Sequence, residues 1–320
     1  MSCLKKYFNF KIIALIFIFS LLPAGFTAIG DEADSFHFTV TADMRSNHEQ
    51  FRKVCKAINE KMGGPGAFHV STGDIDPLAK NRKIIDEEFG ANAIWYPVAG
   101  NHDSDNPSGP DMKWIREEFH SLPYIVNSGP VNCEETTYSF DFKNAHFVVL
   151  NEYYDGAGDT KTDGNIVPEL LSWLKNDLDK NTKPFVFIFG HEPAFPMPDE
   201  HWKRIRHHGD SLDKYPENRD AFWNLLEDKR VAAYICGHTH CYSYYRRDGG
   251  RVWQVVAAAC PYPENTHKYD ALLNVIVSGA DVKFEVYRDM DEDGEYTIYD
   301  SWAVSLSDPA AANAMLMRVN

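Results

Sequence analysis

Five apolar runs in this chain each end in a short polar cluster. The clusters are Ala42-Asp43-Met44-Arg45, Gly73-Asp74-Ile75-Asp76, Gly100-Asn101-His102-Asp103, Gly190-His191 and Gly237-His238-Thr239-His240. Together they offer carboxylates, an amide and imidazoles without thiolates. That donor set suits Mn, Fe, Zn, Co or Ni rather than a soft metal. A carboxylate such as Asp74 is able to bridge two metals. Two metals roughly 4 Å apart clamp the attacking and leaving oxygens of a phosphoryl transfer and make hydroxide available at neutral pH. His102, next to Asn101, is placed to protonate a leaving-group oxygen, and Asp103 to orient its imidazole.

Such a constellation forms only if the runs are strands that end at one edge. Phe36–Thr41, Ala67–Thr72, Trp95–Ala99, Phe185–Phe189 and Val231–Ile235 read as buried strands. Helical patterns alternate with them. Ser46-x-x-Glu49 reads as a capping box opening a helix to about Lys61. Further helices are expected near 79–89, 111–120, from Pro168, and over 217–228. Strands 137–142 and 145–151 form a hairpin around Lys143-Asn144. After Thr239 the pattern is all strand, in runs near 241–247, 252–257, 271–277, 282–288 and 296–306. Buried parallel strands flanked by helices and followed by antiparallel strands predict two packed sheets with helices outside. Sites in such sheets assemble at the carboxyl ends of strands. A glycine just before the polar residue lets the backbone turn there and approach a ligand.

The order Asp43, Gly73-Asp74, Gly100-Asn101-His102-Asp103, Gly190-His191, Gly237-His238-x-His240 resembles the calcineurin-like metallophosphoesterase family. The likeness runs over about residues 36–288 and takes in Tyr138-Ser139-Phe140, Phe147-Val148-Val149-Leu150 and Trp173-Leu174. It implies an α/β fold, a four-layer α/β/β/α sandwich of two packed mixed sheets. It implies two divalent transition metals, the first held by Asp43, Asp74 and His240, the second by Asp74, Asn101, His191 and His238. It also implies that His102 is the acid and touches phosphate. The family's first motif is Asp-x-His, and Arg45 stands in the place of that histidine. A guanidinium stays protonated and does not ligate a metal. The first site is therefore expected to bind more weakly, with Arg45 free to turn towards a phosphate oxygen pair. Gly-Asp-x-Asp-Pro at 73–77 lacks a tyrosine ligand and argues against the purple acid phosphatase branch.

The expected activity is hydrolysis of phosphomonoesters or phosphodiesters. The competing reading is a non-catalytic binding protein on the same scaffold with a decayed first metal site. The formal charge of −15 disfavours nucleic-acid binding. Lys5, Lys6 and Lys11, the apolar run Ile12–Leu22 and Ala28-Ile29-Gly30 read as a signal peptide over residues 1–30. The mature chain is then secreted or periplasmic, a monomer without a membrane span. It comprises one domain over 31–307 and a loose tail over 308–320. Cys55, Cys133, Cys236, Cys241 and Cys260 show no CxxC spacing, and at most one disulfide is expected.

Other features have plainer readings. His37, His69, His120, His146 and His267 read as structural, His207-His208 as a solvated pair, and Asp76 as a turn acid before Pro77. Asp289-x-Asp291-x-Asp293-Gly294, with Asp300 at the twelfth position, resembles a calcium loop. It reads better as a hairpin turn. The long loop 193–216 follows His191 directly and is expected to face substrate, as are 103–110 and 153–166.

Overall fold

A computed structural model of the chain describes residues 35–160, 163–257 and 271–306. The predicted signal peptide and tail, Cys260 and His267 lie outside them. Among the described residues, thirteen strands form two mixed sheets. In the first, β1 (Phe36–Thr41), β2 (His69–Thr72) and β3 (Trp95–Val98) run parallel. β11 (Ala271–Ser278), β12 (Asp281–Arg288) and β13 (Thr297–Ser305) extend that sheet antiparallel from β1. In the second, β6 (Ala145–Val149), β7 (Phe185–Phe189), β8 (Ala233–Cys236) and β10 (Trp253–Ala257) are parallel. The antiparallel pair β4 (Ile125–Ser128) and β5 (Tyr138–Phe142) lies on one side of them, and β9 (Tyr242–Tyr245) on the other.

The two-residue period of each strand divides its side chains between two cores. Phe185, Phe187 and Phe189 of β7 point between the sheets and pack with Phe38, Phe68, Phe140 and Phe147. Val186 and Ile188 point outward, against α5 (Pro168–Lys180) and α6 (Pro216–Asp228). The first sheet's outer face is covered by α1 (His48–Met62), α2 (Leu78–Phe89) and α4 (Pro110–Phe119). The result is helix, sheet, sheet, helix, as expected. Rings of Phe147 and Phe187 stack at 5.3 Å, and Phe38 meets Phe147 edge-on at 5.4 Å. Truncating one such buried ring costs about 3–5 kcal/mol.

One local expectation fails, and one strand escaped the sequence reading. The capping box does not form: the N-cap of α1 is Asn47, without a side-chain cap bond, so Ser46 lies one residue too early for that role. Strand β4 was invisible in the sequence because it is a four-residue edge strand whose residues alternate between half-buried and exposed. The acidic 289–294 segment is the turn between β12 and β13. Asp289 spends its carboxylate on the amides of Asp293 and Gly294, and Asp300 accepts from the Tyr242 hydroxyl. Its carboxylates therefore do not converge as a calcium loop's would. The four described cysteines are buried free thiols.

Candidate metal centre

The parallel strands of both sheets end at one edge, where the polar clusters meet. The backbone is bent to bring them there. Asp43, Asp74, His238 and His240 have φ of 58°, 53°, 68° and 50°, a left-handed conformation that side chains avoid unless surroundings enforce it. Gly73 has φ of 87°, and a Cβ there would lie 2.2 Å from His191 Nδ1. Gly100 presses equally close on Asp74, whose amide nitrogen a Cβ would meet at 2.2 Å. The glycines at these strand ends leave room for the ligand-type side chains beside them.

Asp43, Asp74 and His191 are all buried and offer ligand atoms within 4.8 Å of one another. The Nδ1 of His191 donates to the Thr72 carbonyl at 2.8 Å, so Nε2 carries the lone pair. That lone pair faces Asn101 Oδ1 at 3.2 Å and Asp74 Oδ1 at 3.4 Å. His238 donates from Nε2 to the Asp210 carbonyl at 3.1 Å, which leaves Nδ1 as an acceptor 3.2 Å from Asn101 Oδ1. Burial keeps both imidazoles neutral by lowering their pKa values. Four acceptors therefore converge with no proton among them. A cation resolves that arrangement, and neutral imidazole with carboxylate is the form in which these groups ligate.

The second half of the site is Asp43 with His240. His240 Nε2 lies 3.6 Å from Asp43 Oδ1, too far for a hydrogen bond, and its Nδ1 is buried without a partner among the described residues. Burial holds His240 down to about 2. Asp43 accepts from the His238 amide at 3.0 Å, yet burial and the neighbouring Asp74 push its carboxyl well above the usual range. Two buried, mutually repelling carboxylates call for positive charge. The residues present thus fit divalent metals, with Asp74 between the two sets of ligand atoms.

Around this centre the structure revises several sequence assignments. His102 stands at the rim, about one-third exposed, its amide on Asp74 Oδ1 at 3.0 Å and its Nε2 3.8 Å from Asp74 Oδ2. Asp103 does not orient it. Its carboxylate accepts from the amides of Gly100 at 2.8 Å and Ile75 at 3.0 Å, which pins the one-turn helix α3 (Asn101–Ser104). The carboxylate beside His102 Nδ1 is Asp105, at 3.5 Å. Arg45 does not reach freely towards substrate: its Nε donates to Asp76 Oδ1 at 3.2 Å. Asp76 is thus an ion-pair partner as well as a turn acid. Of the pair read as solvated, His208 is exposed, while His207 is only partly so, its ring 4.1 Å from that of His238.

Sequence reasoning also missed Glu152. This fully buried carboxylate accepts from the amides of His191 and Glu192 and from the Tyr234 hydroxyl. Burial pushes it up to about 7. The signal was available, because Asn151-Glu152 follows an apolar run just as the other clusters do.

Among known proteins, the model of calcineurin-like phosphoesterases matches residues 36–242. Tartrate-resistant acid phosphatase type 5 of Oryctolagus cuniculus is 22% identical over 253 residues, covering 70% of this chain and 69% of that one. This acid phosphatase match stands against the reading of Pro77 as setting the chain apart from purple acid phosphatases; Pro77 nonetheless stands where that branch has tyrosine. Two solved structures share the fold. PhoD aligns with a TM-score of 0.55 at 13% identity, over 87% of this chain and 71% of that one. GAP50, the anchor in the inner membrane complex of Plasmodium, aligns at 0.51 and 12%, over 86% and 90%. The chain belongs to the calcineurin-like phosphoesterase family, metal-dependent hydrolases of phosphate ester bonds.

Proposed function

We propose that this chain is an exported hydrolase of phosphomonoesters or phosphodiesters that binds two divalent transition metals. The observation that carries the reading is the convergence of Asp43, Asp74, Asn101, His191, His238 and His240 with their acceptor atoms turned inward. Bound metals supply a Lewis-acid clamp on phosphate oxygens and water of lowered pKa. The chain's residues do the rest. Asp43 and His240 would hold metal on one side and Asn101, His191 and His238 on the other, with Asp74 available to both. His102, at the rim and 3.8 Å from Asp74, donates a proton to the departing alkoxide or phenoxide oxygen. Asp105 is the carboxylate placed to hold its imidazole. The Lys5, Lys6, Lys11 start and its apolar run support export.

The alternative of a non-catalytic binding protein draws on Arg45 in place of a ligand histidine. The presence of His102 beside the ligand cluster favours the enzyme, since binding alone does not need a proton donor. Release of p-nitrophenol from mono- and bis-p-nitrophenyl phosphate, with and without Mn, tests the reading. Metal-dependent turnover is expected, and metal binding without turnover would leave the binding protein.

A further inference from the structure

The loop between β7 and α6 is tied down at two places, the second of them on His238 at the metal centre. Asp199, buried, accepts from the amides of His201 and Trp202 at 2.8 Å each and of Tyr242 at 3.0 Å, and pairs with buried Arg288. Farther along, the His207 ring packs on His238, and the Asp210 carbonyl accepts from His238 Nε2. Arg206 sits between these two anchors. Its Nη1 is buried with no hydrogen-bond partner among the described residues. Arg206 as a whole is half-buried, and a buried guanidinium nitrogen without a partner is suited to an anion that completes it. The guanidiniums whose charge reaches Asp43 are Arg206 and Arg45; Arg45 has a carboxylate partner in Asp76, whereas the buried Nη1 of Arg206 has no hydrogen-bond partner among the described residues.

We propose that Arg206 is a phosphate-positioning residue that selects monoesters. The inference rests on the phosphoesterase reading above. A phosphomonoester presents three non-bridging oxygens and a diester two. A centre that engages two such oxygens through metals leaves a third only on a monoester, and a guanidinium anchored by the loop is suited to hold it. This assignment replaces Arg45 as the main phosphate contact. It also explains why the loop is tied down at two places, because a clamp that moved would not discriminate.

The test measures inorganic phosphate binding by calorimetry on the Mn-loaded full chain. The same protein is assayed on mono- and bis-p-nitrophenyl phosphate, with metal content determined in parallel. Arg206→Ala should weaken phosphate about 10-fold or more, and lower kcat/KM for the monoester at least 10-fold more than for the diester. Metal content should stay unchanged. Arg206→Lys should recover part of both losses, and it serves as the informative variant if Arg206→Ala does not fold. Unchanged phosphate affinity, equal losses on the two esters, or loss of metal would overturn the proposal. If the natural protein turns over no ester but binds phosphate through Arg206, the hydrolase reading fails and the phosphate contact stands. If it binds no phosphate, the contact fails as well.

Discussion

His191 and Thr72 are joined across the two sheets: Nδ1 of the imidazole donates to the Thr72 carbonyl at 2.8 Å. That bond fixes the tautomer and aims the Nε2 lone pair at Asn101 and Asp74. It also ties the end of β7 to the end of β2, so the site and the seam between the sheets share one contact. His191→Ala should therefore reduce bound metal by about one equivalent and lower kcat/KM by at least about 100-fold. Elemental analysis beside a p-nitrophenyl phosphate assay checks this; undiminished metal content would remove His191 from the ligand set.

His102→Asn should lower kcat about 100-fold or more for esters with poor leaving groups. The loss should shrink for p-nitrophenolate, which departs without a proton. Metal content should be nearly unchanged, because the imidazole is 3.8 Å from Asp74 at the rim rather than inside the cluster. An equal loss on both leaving groups would make His102 a phosphate-binding group instead.

Arg45→His restores an imidazole at the family's ligand position. The backbone there already has φ of 34°, and the side chain pairs with Asp76 at the rim. The substitution should tighten the weaker of two metal affinities by about 10-fold, in line with the effect of an added ligand interaction. Titration of the metal-free protein measures it. Two equal affinities in the natural protein would contradict the weakened first site.

A pH effect on stability is expected away from the metal centre. His146 Nδ1 lies 2.7 Å from Asp141 and Nε2 2.8 Å from Asp177. Burial pushes the His146 pKa down, but its hydrogen bonds to Asp177 and Asp141 outweigh burial and the net shift is upward. For Asp177 burial pushes up, and the bonds from His146, Asn127 and Ser139 bring it below its ordinary value. The raised His146 value stabilises the fold fully below about pH 6.5, and that contribution is lost as pH rises through the folded value. The lowered Asp177 value stabilises above about pH 3.9 and is lost as pH falls through it. His146→Gln should cost about 3 kcal/mol near pH 5.5 and less near pH 9. Urea unfolding at the two pH values reads the difference, and a cost independent of pH would contradict it.

Much of this arrangement was legible because apolar strands and their polar ends are local features. Gly73-Asp74 and Gly237-His238 carry both the turn and the ligand-type residue within a few positions. What stayed hidden depends on contacts between distant segments. The loop 193–216 was expected near substrate because it follows His191, but nothing near His207 in sequence says that its ring packs on His238. Asp103 and Asp105 both flank the region of His102, and only the one-turn helix decides that Asp103 turns inward to the Gly100 and Ile75 amides. Strand β4 escaped because an edge strand exposed on alternate residues has no continuous apolar signal.

The central claim is that the inward-facing acceptors bind metal and that metal is required for hydrolysis. Elemental analysis of protein purified without chelator, followed by EDTA treatment and Mn titration under a p-nitrophenyl phosphate assay, tests it most directly. Two equivalents of metal per chain, the first site the weaker, are expected, with turnover abolished by EDTA and restored by Mn. Full turnover by the metal-free, chelated protein would contradict the account.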